Sequence, residues 1–145
     1  MFHHILVPTD GSPLSGMAIE KSVALAKSLG ARITFLTAVE PFHIWTDNAN
    51  QLAYTREEYE RISKESAGGY LDSAVAAAEA AGVAVGRVQV ETDEPYRAII
   101  DAAVERGCDL VAMASHGRRG VAALVIGSET QKVLTHSAIP VLVYR

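Results

Sequence analysis

Cysteine is almost missing from this chain. Cys108 is the only one in 145 residues, so no internal disulfide can form. It lies between Gly107 and Asp109, ahead of an apolar run, and reads as a buried, reduced thiol. Long hydrophobic runs are missing as well: the longest, 121–126, has six residues, where a membrane-spanning helix needs roughly 18 or more. The first ten residues, Met1 to Asp10, lack the basic start, extended apolar stretch and small-residue cleavage site of a secretory signal. A cytoplasmic protein without a membrane segment is expected. Excess positive charge is lacking too, since 13 Lys+Arg against 17 Asp+Glu leave a net charge of −4. No basic stretch offsets it, which argues against nucleic-acid binding. Any anionic ligand has to be held by local geometry.

Several chemical signatures are also absent. A phosphate-loop NTPase needs G-x4-G-K-[ST], and neither Gly11 to Gly16 nor Gly120 to Gly127 is followed by lysine. The dinucleotide fingerprint G-x-G-x-x-G follows none of the expected strands. There is no G-x-S-x-G elbow and no H-E-x-x-H, so covalent hydrolysis and zinc catalysis have no support. The five histidines, His3, His4, His43, His116 and His136, show no ligand spacing, and no metal ligand from the protein is expected. Gly117-Arg118-Arg119-Gly120 matches the short GXXG loop of an RNA-binding KH module, but that fold does not alternate strands and helices as this chain does.

The composition is 49% hydrophobic, and short apolar runs alternate regularly with segments of helical period. That pattern belongs to a single α/β domain over 1–145 with a mainly parallel sheet. Five strands are expected, at His4 to Pro8, Arg32 to Val39, Val85 to Thr92, Asp109 to Ala114 and Pro140 to Tyr144, together with four helices. Ser12 is a good N-cap for the first helix, with Pro13 at its first position and Gly30 as its stop. Ala18, Ser22, Leu25 and Leu29 share one face of it. The second helix is expected from about Thr55 to Ala81, with Glu57–Arg61 and Glu60–Lys64 as pairs four apart. Gly68-Gly69 argues against its continuity. Ser128-Glu129-Thr130-Gln131 reads as a capping box for the last helix.

A central parallel strand is covered on both faces and an edge strand is not. Ile5-Leu6-Val7 and Leu110 to Ala114 read as central, while the alternating Arg87 to Glu91 suits an edge. These burial levels imply a three-layer doubly wound sheet of order 3-2-1-4-5, with strands one and four adjacent where the winding reverses and where ligands bind such sheets. The last strand, Pro140 to Tyr144, is almost wholly apolar although it lies at the other edge. An exposed apolar edge is a pairing hazard, so a homodimer joined through Val141 and Val143 is expected. Cover by a loop or helix is the alternative.

The crevice is lined by the turns after strands one and four, Pro8-Thr9-Asp10-Gly11-Ser12 and Ala114 to Gly120. A glycine-bearing turn entering a helix N-terminus offers backbone N–H groups and the positive end of the dipole, and so can hold phosphate without lysine. Gly127-Ser128 repeats that arrangement. The segment Ala114-Ser115-His116-Gly117, nine residues, then Gly127-Ser128 resembles the nucleotide-binding signature G-x2-G-x9-G-[ST] of the universal stress protein family. Ile5 to Ser12, Asp109 to Met113 and Ile139 to Val143 are similar to that family's first, fourth and closing strands, so the resemblance covers nearly the whole chain.

The resemblance implies a Rossmann-like, dimeric stress-response regulator that binds ATP, AMP or another adenine nucleotide. Asp10 would contact the ribose, Pro8 and Thr9 would border the adenine pocket, and Val39 would meet the adenine through its backbone. Gly117, Gly127 and Ser128 would hold the phosphates, with Mg²⁺ or Mn²⁺ carried on the phosphate oxygens. Ser115, His116, Arg118, Glu129 and Thr130 flank those glycines and complete the expected contacts, and Arg118 and Arg119 could add charge toward a triphosphate. One departure stands out: Ala114 replaces the first glycine of the signature. A methyl group there obstructs a closely approaching phosphate but does little at an ordinary strand end. Two further readings therefore stand beside the regulator: a dimeric interaction module that has lost nucleotide binding, and a slow ATPase or a protein that phosphorylates itself at Ser115 or Ser128. The segment from Glu40 to Tyr54, with Trp45, is where specificity for ligand or partner would reside.

Overall fold

The computed structural model of the chain describes residues 1–117 and 126–145. Strand β1 (His4–Pro8) leads through Gly11 and Ser12 into helix α1 (Pro13–Leu29), then come β2 (Arg32–Val39), a short α2 (Ala49–Leu52), α3 (Arg56–Ala80), β3 (Val85–Glu91), α4 (Pro95–Glu105), β4 (Leu110–Ala114), α5 (Ser128–His136) and β5 (Val141–Tyr144). All pairings in the five-stranded sheet are parallel, and the order is β3-β2-β1-β4-β5. This is the doubly wound arrangement that strand hydrophobicity indicated.

Side chains alternate across a strand, so β1 feeds two cores. Ile5 and Val7 join Phe35, Leu71 and Ala74 in a cluster under α1 and α3. Leu6 joins Leu36, Ile99, Val111 and Val133 in a second under α4 and α5. Ile5, Leu6 and Val7 are fully buried, as a central strand requires. Cys108 belongs to the second cluster, and its burial raises the thiol pKa to about 11.

The start of α1 obeys its sequence signals. Ser12 is extended (φ −70°, ψ 157°) and accepts the Ser15 N–H at 3.2 Å, Pro13 occupies the first turn, and Gly30 closes the helix at φ 66°. Leu29 is 37% exposed rather than on the buried face, which α1 completes with Ser15, Val23 and Ala26. Helix α3 runs unbroken through Gly68 and Gly69 behind a full capping box of Thr55 and Glu58. Glycine costs about 1 kcal/mol in a helix interior, and the burial of Ala67, Leu71, Ala74 and Ala78 on one stripe outweighs it. Its ion pairs between residues four apart are Arg56–Glu60 at 3.1 Å and Arg61–Glu65 at 3.5 Å, not Glu57–Arg61 and Glu60–Lys64. The arginines take the carboxylate one turn onward.

Helix α5 corrects another expectation. Gly127, extended at φ −63° and ψ 155°, is the N-cap, and Ser128 is already the first helical residue. Among the described residues no side chain caps this helix, and Ser128 and Gln131 form no capping box. The carbonyl of Gly127 accepts the Gln131 N–H at 3.0 Å, and the Gln131 side chain instead reaches the Ile126 carbonyl at 3.1 Å. The short helix α2 had no counterpart in the sequence pattern.

Candidate functional site

A cleft of about 430 Å³ opens at the carboxyl ends of β1 and β4, where the strand order reverses. Its size falls in the range of about 300–1,000 Å³ typical of small-molecule sites. Leu36, Ala38, Ile99 and Met113 supply an apolar wall, while Asp10, His116, Gly117 and the first turn of α5 supply a polar one.

The β1 turn is built by short-range hydrogen bonds. Thr9 is buried; its N–H donates to the Leu36 carbonyl at 2.8 Å, its carbonyl accepts from Thr37 Oγ1 at 3.0 Å, and its hydroxyl meets Ser15 Oγ at 3.1 Å. Asp10 then projects into the cleft while its Oδ1 accepts the Ser12 N–H at 2.9 Å. Gly11 has φ +77° and lies under the Tyr70 ring, so both its backbone angle and the ring require glycine.

The β4 side closes against this turn. The carboxylate of Asp10 occupies the space that a Cβ on Gly117 would need. The Gly127 N–H donates to the Ser115 carbonyl at 2.7 Å, and a Cβ on Gly127 would lie 3.2 Å from the His116 backbone. These glycines let the two loops and the α5 N-terminus meet. Thr130 Oγ1 donates to the Ala114 carbonyl at 3.0 Å in a buried contact that ties α5 to the end of β4. Glu129 Oε2 accepts the Tyr96 N–H at 3.0 Å, giving the first turn of α4 an acceptor that its own N-cap, Glu94, does not provide.

Of the residues that the sequence assigned to a ligand, Pro8, Thr9, Asp10, His116, Gly117, Gly127, Ser128, Glu129 and Thr130 all line the cleft. Val39 and Ser115 do not. Val39 is buried, with its carbonyl engaged by the Thr92 N–H at 2.9 Å, and Ser115 is 2% exposed, with Oγ 3.3 Å from His116 Nδ1. Arg118 and Arg119 lie outside the described residues. Ala114 ends β4 opposite Tyr144 and is 8% exposed.

Sequence reasoning missed one group at the rim. Glu40 comes directly after β2 and Asp93 shortly after β3, and parallel pairing of those strands brings the two carboxylates to one end of the sheet. His43 joins them, with Nε2 2.7 Å from Asp93 Oδ1. The carboxylates were legible from strand register. The position of His43 was not, because it depends on how 41–54 folds around the buried Gln51, which accepts the His43 N–H at 2.8 Å and donates to the Pro41 carbonyl at 2.9 Å.

Fold and cleft together define a doubly wound α/β protein with a cleft at its topological switch point, where sheets of this kind bind ligands. The universal stress protein family model matches residues 1–145. A universal stress protein of Bacillus subtilis, YxiE, is 29% identical over 150 residues with full coverage of both chains. A Thermus aquaticus universal stress protein, encoded in a sulfhydrylase 3′ region, is 30% identical over 145 residues, again with full coverage of both. Among solved structures, a universal stress protein in complex with cAMP superimposes with a TM-score of 0.72 at 25% identity, covering 99% of this chain and 97% of that one. The chain belongs to the universal stress protein family.

Proposed function

We propose that the protein is an adenine-nucleotide-binding stress-response regulator that takes ATP in the switch-point cleft and works as a homodimer. The observation that carries this reading is the pairing of an apolar wall with an α5 N-terminus that no side chain caps among the described residues. The wall suits a base, and the Asp10 carboxylate lining the cleft is an acceptor of the kind a ribose hydroxyl needs. The N–H groups of the first turn of α5 have no intrahelical acceptor, which suits phosphate. A similar fold in complex with cAMP supports the nucleotide class. Mg²⁺ or Mn²⁺ would travel on the phosphate oxygens.

Ala114 favours the second reading, an interaction module that has lost its nucleotide. Against it, Ala114 lines the cleft but is a paired strand residue with only 8% of its surface exposed. Phosphorylation at Ser115 is disfavoured by its burial, which leaves Ser128, a residue lining the cleft, as the other candidate. The dimer reading rests on β5, which has β4 as its sheet partner and leaves Leu142 37% exposed at the edge. Native mass spectrometry of the freshly purified protein tests both parts. A dimer carrying or taking up ATP or AMP is expected; a dimer that takes up no adenine nucleotide would transfer the assignment to the interaction module.

A further inference from the structure

We propose that Glu40, His43 and Asp93 form a binding site for a divalent transition-metal ion of the zinc class at the rim of the cleft. One imidazole nitrogen and two carboxylate oxygens lie within 4.8 Å of one another there. Ligands on a tetrahedral zinc ion stand about 3.4 Å apart, from bonds of roughly 2.1 Å. Closing the set takes only small side-chain rotations. Both His43 and Asp93 have room to make them, since their side chains are 39% and 55% exposed.

Three features go beyond proximity. The first is mixed donor chemistry: an imidazole with two carboxylates suits zinc or its neighbours, whereas magnesium demands oxygen ligands and keeps several waters. The second is support from outside the ligand set. Asn48 Nδ2 donates to Glu40 Oε2 at 2.7 Å, and Gln51, 1% exposed, fixes the backbone that carries His43. Such outer partners hold metal ligands in place. The third is charge. Four carboxylates, of Asp10, Glu40, Asp93 and Glu129, line the cleft, and no lysine or arginine does so among the described residues. A divalent ion on Glu40 and Asp93 would balance two of them. The ion would take the place of the hydrogen bond between His43 Nε2 and Asp93 Oδ1, which are 2.7 Å apart.

The test uses the full chain without nucleotide, so its outcome is separate from that of the nucleotide reading. Zn²⁺ is titrated against a chromophoric zinc indicator, with folding checked by circular dichroism. Wild type is expected to take up zinc at one stoichiometric site that millimolar Mg²⁺ does not empty. Asn48→Ala should weaken it by about 10–100-fold, and His43→Gln and Asp93→Asn by at least as much, while His136→Gln leaves it unchanged. X-ray absorption should show nitrogen and oxygen ligands alone. Unaltered affinity in His43→Gln, equal loss in His136→Gln, a sulfur ligand, or no stoichiometric uptake by wild type would each overturn the proposal.

Discussion

Thr130→Val tests how α5 is fixed to the sheet and so how the cleft keeps its shape. The substitution conserves side-chain shape and removes the hydroxyl that donates to the Ala114 carbonyl at 3.0 Å. Thr130 is 3% exposed and Ala114 8%, so water cannot readily replace the lost donor. A buried acceptor left without its partner costs about 1–3 kcal/mol, while shape conservation avoids a cavity term. A loss of about 1–2 kcal/mol is expected. For a chain of this length each kcal/mol lowers Tm by about 2–4 °C, so Tm should fall by about 2–8 °C. In urea the midpoint should drop with an unchanged slope. Thr135→Val provides the control: its hydroxyl donates to the Gln131 carbonyl on an exposed stretch of the same helix, and the change should stay within about 0.5 kcal/mol. Equal effects of the two substitutions, or none from Thr130→Val, would refute the assignment of the Thr130 bond as the anchor of α5.

Leu71→Ala, at a fully buried position under β2, should cost about 2–5 kcal/mol by equilibrium unfolding. Val141→Asp or Val143→Asp should yield monomers in sedimentation velocity if β5 joins two copies; a persistent dimer would place the interface elsewhere. Burial holds the Cys108 thiol protonated in the folded chain up to about pH 11, whereas an unfolded thiol ionises near 8.5. Between those values the unfolded state binds fewer protons, so stability falls as pH rises. Comparing wild type with Cys108→Ala over that window isolates the slope, which the variant should lack.

The sheet was legible because strand burial is written directly in composition. Ile5-Leu6-Val7 could only be central, and Arg87 to Glu91, with its alternation, only an edge. Ser12, Pro13 and Gly30 specified α1 because each performs a local task that needs no distant partner. Legibility failed where tertiary contacts decide. Gly68-Gly69 read as a break, yet the buried alanine stripe of α3 overrides the propensity of two residues. Ser128 read as a cap, yet Gly127 takes that position because a side chain there would press on the His116 backbone. For the same reason, a bulky residue at Gly127 disturbs loop packing along with any ligand, so it is a poor probe of binding alone. In the cleft, the turns after β1 and β4 were readable as motifs. Glu129 and Thr130 were readable as neighbours of the motif but not as the groups that hold α4 and the end of β4. In the rim set, the register of β2 and β3 makes Glu40 and Asp93 neighbours, whereas His43, three residues after Glu40 and 50 before Asp93, is placed only by the fold of its loop.

The central claim is that an adenine nucleotide occupies the cleft between β1 and β4, with Asp10 at the ribose. Calorimetric titration of Mg-ATP into wild type and Asp10→Ala, with both melts recorded, tests it most directly. A hydrogen bond to a charged group contributes about 1.5–3 kcal/mol, or roughly 10–150-fold in affinity. Micromolar binding by wild type, weakened by that factor in a folded Asp10→Ala variant, is the predicted result. Equal affinity in the two proteins would contradict the site, and a wild type that binds no ATP at millimolar concentration would contradict the function.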